Sequence, residues 1–315
     1  MNVFIFILDC ILHCNKVADD ILKPMSHKKL IVTHHAPDLD AITATWLFKR
    51  FDAQDFASAQ VTFVNPGETL TDANRLHLGF DATQVVHVDT GLGEFDHHQP
   101  ERGEQMVSAS SLVYDHLCQI HPELKDDESL TTIVEHTTDI DHFGEVNWPD
   151  PSNKRYAFML YELIHGIEFV DPHNDDSQLN FGFECLDSVY AVLTQQIKAE
   201  EIIKEKGQEF SLGEIKCLAL ETRNDETIKL AQKMGYGLVV RKDSEQGHVR
   251  IKVRPDLSLS LEALHNKILE IDNEGTWYYH PSGKMLLNGS RKHRNQLATP
   301  LGLNKIIELI KEVYE

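Results

Sequence analysis

Acids and histidines gather at two places in the first hundred residues, and each place follows a short apolar run. One is His34-His35-Ala36-Pro37-Asp38-Leu39-Asp40, after Leu30-Ile31-Val32-Thr33; the other is Asp89 and then Asp96-His97-His98, after Gln84-Val85-Val86-His87-Val88. Carboxylate and imidazole are the donors by which proteins hold hard or borderline divalent metals. His34, Asp38 and Asp40 have the spacing H-x-x-x-D-x-D. In a loop after a strand, side chains two positions apart can both turn toward one cation, and Pro37 lowers the entropy cost of presenting them. The same loop alone also reads as a polar cap on the next helix, with Asp40 as N-cap. A second cluster at the next strand end favours the metal. Two further acids, Asp139 and Asp141, close a helical run from Leu130 to Thr138. A donor set with more carboxylates than nitrogens suits manganese or magnesium better than zinc.

The elements that carry these residues alternate. Strand 30–33 leads to helix Ala41–Phe51, strand 61–64 to a short helix Thr71–Leu78, and strand 84–88 to helix Val107–Ile120, which begins with the small residues Ser108-Ala109-Ser110-Ser111. Alternation of this kind predicts an α/β fold with a parallel sheet, whose ligands bind beyond the carboxyl ends of its strands. Helical patterns follow over Tyr156–His165, just before Gly166, and over Asp187–Phe210. After Gly213 the pattern restarts: strand 215–220, helix 225–234, a hairpin of 237–242 with 248–253, helix 259–271, short strands at 277–280 and 285–287, and a final helix over 302–314. The domain organisation expected is an extension over 1–24 preceding a start at Met25, a metal-binding domain over 25–190, a helical connector over 191–212 and a smaller mixed α/β domain over 213–315.

The formal net charge of −20 argues against tight binding of long nucleic acid, which needs basic surface. It leaves room for a small phosphorylated substrate on a local basic patch. Cys10, Cys14, Cys118, Cys185 and Cys217 are odd in number and lie mostly in apolar runs, the pattern of reduced thiols in a cytoplasmic protein. The apolar run Val3–Leu8 is too short to span a bilayer and has no basic residue before it, so no membrane is expected. The apolar face of the 184–203 helix could bury against a second copy, making a homodimer.

H-x-x-P-D-x-D, then an aspartate at a strand end, then Asp-His-His, resembles the DHH phosphoesterase superfamily, which includes pyrophosphatases, RecJ-type exonucleases and phosphodiesterases of short oligonucleotides or cyclic dinucleotides. The resemblance covers most of residues 30–145 by motif order and extends to Gly289-Ser290-Arg291-Lys292, with Gln296, Pro300 and Leu301 beyond. It implies two divalent ions, manganese first and magnesium or cobalt next, in a cleft between two domains. His34, Asp38 and Asp89 would hold one ion, and Asp40, Asp89 and His97 the other. Asp89 would bridge, as one carboxylate can at the roughly 3.5–4 Å separation of two-metal sites. Asp96 would orient a histidine, and His98 would face the substrate. The last acid is Asp139 by one branch's pattern, with Phe143 four residues on, or Asp141 by another's, with His142 and Gly144 following. Ser290, Arg291, Lys292 and Lys284 would bind phosphate, Arg291 as a planar fork and the lysines as point charges; a merely solvated basic loop is the plainer reading of 291–294. His280 is as readily structural as substrate-binding, His87 reads as packed in its strand, His142 as a residue of the cleft wall, and His165, His173 and His265 carry no ligand pattern.

These readings give a metal-dependent hydrolase of phosphoester or phosphoanhydride bonds. One alternative is a phosphodiesterase or exonuclease on oligonucleotides or cyclic dinucleotides, which the lack of a G-G-H-type motif near the carboxyl terminus disfavours. The other is a metal- or nucleotide-binding module without catalysis, disfavoured because clustered carboxylates without a cation repel one another. A zinc hydrolase of non-phosphate substrates fits the oxygen-rich set least.

Overall fold

The computed structural model describes residues 28–289 and 295–315. The extension before Met25 and the residues Ser290, Arg291 and Lys292 lie outside the described residues. The chain divides into two units, one ending at Tyr190 and one beginning at Ala191.

The first unit is built on a parallel sheet of β1 (Leu30–His34), β2 (Gln60–Val64) and β3 (Val85–His87), in the order β2-β1-β3. Its register pairs Val32 with Thr62 on one side and His87 on the other. Leu30, Ile31 and Val32 are buried on both faces, as the central strand of a covered parallel sheet requires. β1 and β3 run side by side in the same direction, so His34 and the loop after His87 emerge at the same sheet edge. The pairing outlasts β3, since Val88 N–H donates to the Val32 carbonyl and Val88 makes an isolated bridge to Phe95.

Helix α1 (Leu39–Phe51) follows β1, and α2 (Ala53–Phe56) and α3 (Asp72–His77) are short. α4 (Ala109–Ile120) and α5 (Glu128–Asp141) pack on α1. α6 (Leu160–Val170) runs on through Gly166, and α7 (Asp175–Lys206) starts twelve residues ahead of the expected Asp187. Gly182 lies in this early part of the helix. A Cβ there would meet Ile42 Cγ2 of α1 at 2.6 Å, so the glycine is the small residue that lets two helices approach. α7 also ends sooner than expected. Residues 208–212, read as the end of a helical connector, form a strand.

That strand opens the second unit: β4 (Gln208–Leu212), β5 (Ile215–Glu221), α8 (Glu226–Lys233), β6 (Leu238–Lys242), β7 (Val249–Val253), α9 (Glu262–Ile271), β8 (Trp277–Tyr279), β9 (Met285–Asn288) and α10 (Leu303–Tyr314). The sheet order is β4-β5-β6-β7-β9-β8, parallel only between β5 and β6. The hairpin of β6 and β7 is as expected. Val240, Ile251 and Leu286 pack with Leu264 and Ile306 on one face, while Leu218, Leu220 and Val239 pack with Ile228 on the other. Both units are thus α/β, one with a parallel sheet and one mixed. Among the described residues, no helix is long and apolar enough to cross a membrane, and Cys118, Cys185 and Cys217 are free.

Candidate metal centre

The site assembles at the carboxyl ends of β1 and β3. Asp38 is the N-cap of α1: its carboxylate accepts from the N–H groups of Asp40 (3.0 Å) and Ala41 (3.1 Å). The cap is therefore Asp38, where the helix-capping alternative placed Asp40. Asp40 is the second residue of the helix and is buried, and its two oxygens accept from Ala109 N–H (2.6 Å) and Ser110 N–H (2.9 Å) at the start of α4. The small residues at that helix start let a carboxylate from α1 reach two free backbone donors.

Asp89 is only 3% exposed and its backbone is left-handed, φ 53. A non-glycine residue rarely holds that conformation unless its surroundings impose it; here its N–H is tied to the Phe95 carbonyl at 2.9 Å. One carboxylate oxygen lies 3.2 Å from His34 Nε2, and the other lies 3.4 Å from His97 Nε2. His97 Nε2 is in turn 3.4 Å from Asp141 and 3.9 Å from Asp40. His34 Nδ1 donates to the His35 carbonyl at 2.9 Å, which leaves Nε2 for the cluster.

Asp96, fully buried, stitches the loop after β3. One oxygen accepts from Leu92 N–H (2.6 Å); the other accepts from His98 N–H (3.1 Å) and from His98 Nδ1 (2.8 Å). It orients His98, whose ring is 59% exposed. The two acids at the end of α5 separate. Asp141 joins His97, whereas the Asp139 carboxylate lies over Gly144, where an added Cβ would meet it at 1.9 Å. Residues two apart on a helix point about 200° from one another, so only one could face the cluster. His142 sets its two nitrogens 3.0 and 3.1 Å from the carbonyls of Thr138 and Gln105.

Among the described residues, three groups bring acid and histidine ligand atoms within 4.8 Å of one another: His34, Asp38 and Asp89; Asp40, His97 and Asp141; and Asp89, His97 and His98. Asp89 Oδ1, His97 Nε2 and Asp141 Oδ2 are buried without hydrogen-bond partners. Polar atoms orphaned in this way are costly. Their spacing near 3.4 Å is close to the roughly 3 Å edge of an octahedron with metal–oxygen bonds of about 2.1 Å. The residues fit a divalent cation.

Electrostatics in the metal-free cluster agree. Burial disfavours the charged form of His34, but the Asp89 hydrogen bond and the charges of Asp38 and Asp89 outweigh it and push the ring up to about 9. Against the same burial penalty, Asp89, Asp141 and Asp40 push His97 up to about 9. Burial would raise Asp89 as well, yet its two histidine partners hold it well below the usual carboxylate range. Asp40 is pushed well above that range by burial and by the charges of Asp89, Asp141 and Asp38. Burial raises Asp141, the His97 charge holds it back, and the Asp89 and Asp38 charges bring it to about 6. Protons sit where a metal's charge would otherwise be needed.

No family model and no curated protein matches the chain. The chain is similar to a solved DHH-domain protein described as a member of the S1p family of ribosomal proteins, with 14% identity and a TM-score of 0.31 over 92% of this chain and 87% of that one. It is also similar to RecJ from Thermus thermophilus in complex with Mn2+, with 11% identity and a TM-score of 0.28 over 90% of this chain; it spans only 52% of that RecJ chain. An exopolyphosphatase-related protein from Bacteroides fragilis gives 13% identity and a TM-score of 0.24 over 91% of this chain and 92% of that one. Likenesses this distant carry no argument about activity, which rests on the residues.

A pocket of about 460 Å3 opens beside the cluster, bounded by Asp38, Asp40, His97, His98 and Asp141 on one side and by α6 and α7 on the other. The α6 and α7 residues are the ones sequence reasoning missed. His165 lines this pocket with Tyr161 and Gln178, although nothing in its spacing set it apart. Asp175, at the start of α7, clamps the metal loop: it holds His35 Nδ1 at 2.6 Å and accepts from Ala36 N–H at 2.7 Å. Ala36 has a left-handed backbone, φ 49, and this clamp fixes it. In the second unit, Lys284 Nζ donates to the carbonyls of Leu257 and Leu259, the latter at 2.7 Å, and His280 Nδ1 meets Ser282.

Proposed function

We propose that the chain is a metal-dependent hydrolase of phosphoester or phosphoanhydride bonds, binding two divalent ions with manganese preferred. The observation that carries this is the convergence of buried, unbonded donor atoms from Asp89, His97 and Asp141, with Asp89 shared between two ligand groups. His34, Asp38 and Asp89 would hold one ion and Asp40, His97 and Asp141 the other, with Asp89 reaching both. Such ions, when bound, supply Lewis acidity toward a phosphoryl oxygen and a water acidic enough to act as nucleophile near neutral pH.

The chain's own residues do the rest. Asp38 and Asp40 are locked by the helix N-termini they cap, so the ligand oxygens are positioned before substrate arrives. Asp175 keeps the His34 loop in its strained path. Asp96 accepts from His98 Nδ1 and leaves His98 Nε2 to give or take a proton at the substrate's oxygen. Ser290, Arg291 and Lys292 are proposed, on their chemistry alone, as phosphate-binding residues, Arg291 and Lys292 by charge and Ser290 by its hydroxyl.

The test is hydrolysis of bis(4-nitrophenyl) phosphate and of inorganic pyrophosphate by the full chain, with manganese and with a chelator. Manganese-dependent turnover of either supports the proposal. Tight manganese binding with no turnover of any phosphate compound would favour a binding module instead.

A further inference from the structure

The wall of the pocket opposite the metal cluster bears on which phosphate compound fits, a question that rests on the phosphohydrolase reading above. Leaving the cluster aside, the lining sets the apolar and aromatic side chains of Ile140, Phe143, Tyr161 and Ile164 beside the polar His165 and Gln178. No lysine or arginine is among the described residues that line the pocket; Glu145 and Glu168 are. A second phosphate placed against this part of the lining, away from the ions, would meet carboxylates and hydrocarbon, with no lysine or arginine among the described lining residues to offset its charge.

Two details suggest an uncharged organic occupant. Phe143 has a left-handed backbone, φ 56, yet 71% of its side chain is exposed. The backbone is the left-handed stop that ends α5, with Phe143 N–H donating to the Ile140 carbonyl at 2.9 Å, and it leaves the ring exposed at the pocket, where a ligand ring could pack on it. Glu145 Oε2 is buried without a hydrogen-bond partner and lines the same pocket, so it is an acceptor awaiting a donor. Tyr161 is held by an edge contact with Trp148, ring centres 6.4 Å apart, which presents a pre-set aromatic surface.

We infer that this pocket takes a flat, uncharged organic group attached to the substrate phosphate, packed against Phe143 and Tyr161 and donating a hydrogen bond to Glu145. The substrate is then an organic phosphoester, and inorganic pyrophosphate or polyphosphate is a poor fit. Phe143, Tyr161 and Glu145 set specificity and take no part in bond cleavage.

The experiment is calorimetric titration of the manganese-loaded full chain with phenylphosphonate and with methylphosphonate, which share a charged group and differ by a ring. The phenyl compound is expected to bind at least about tenfold tighter, as burying an aromatic ring implies. In Tyr161→Ala and Phe143→Ala that ratio should fall toward about twofold, methylphosphonate serving as the internal reference. Equal affinities for the two phosphonates in the wild-type chain overturn the inference and leave the phosphohydrolase reading standing; this outcome needs no variant to fold. Failure of manganese to bind in the loading titration overturns the phosphohydrolase reading, and this inference falls with it.

Discussion

Manganese binding should compete with protons, and the cluster sets the size of the competition. His34 and His97 are each pushed up to about 9 in the metal-free chain because both face Asp89. A ligand nitrogen must be bare to bind metal. At pH 7 a ring titrating near 9 is protonated in about 99 of 100 molecules, so each ion's affinity is lowered about 100-fold, or about 2.7 kcal/mol. Each ligand group contains one such ring, His34 in one and His97 in the other. Affinity for each ion should therefore rise at least about tenfold per pH unit between roughly pH 6.5 and 8.5, with at least one proton released per ion and more at the group that holds the raised Asp40. Calorimetry in two buffers of different ionisation enthalpy reads the proton count directly. The same shifts govern the metal-free fold: a raised histidine adds stability that is complete below its ordinary 6.5 and is lost as pH rises through about 9. Unfolding in a chelator should thus become easier from pH 6.5 to 9. Manganese affinity independent of pH, with no proton released, would refute the reasoning.

Further outcomes concern the supports of the cluster. Asp175→Ala removes the clamp on His35 and Ala36 and should weaken manganese binding by about 10–100-fold, the usual size for a residue that orients ligands; unchanged binding in a titration would show that the loop holds itself. Gly182→Ala sets a Cβ 2.6 Å from Ile42 Cγ2 and should cost about 1–3 kcal/mol by overpacking, part of it offset by about 1 kcal/mol of helix propensity. A rise in melting temperature for that variant would mean the two helices separate freely.

Much of the cluster was legible because its chemistry limits the residue types so sharply. Asp89, His97 and His34 could be named from strand ends and spacing, and the structure brings them together. The choice between Asp139 and Asp141 depended on which face of α5 turns inward, which local spacing leaves open. Asp175 was hidden by distance along the chain, since its partners lie 140 and 139 residues away. The charged run before Gly213 hid an edge strand, and the close approach of α7 to α1 at Gly182 leaves no mark in local spacing. Asp40, proposed as a metal ligand, also accepts from the first two N–H groups of α4, and only the three-dimensional contact shows that second role.

The most direct measurement is anomalous scattering at the manganese edge from crystals grown with the ion, for the wild-type chain and for Asp89→Asn. Two peaks are expected, one beside His34 and Asp38 and one beside Asp40, His97 and Asp141, with Asp89 touching both, and the variant should lose at least one of them. A single peak away from Asp89, or two peaks unchanged in the variant, would contradict the shared-carboxylate centre.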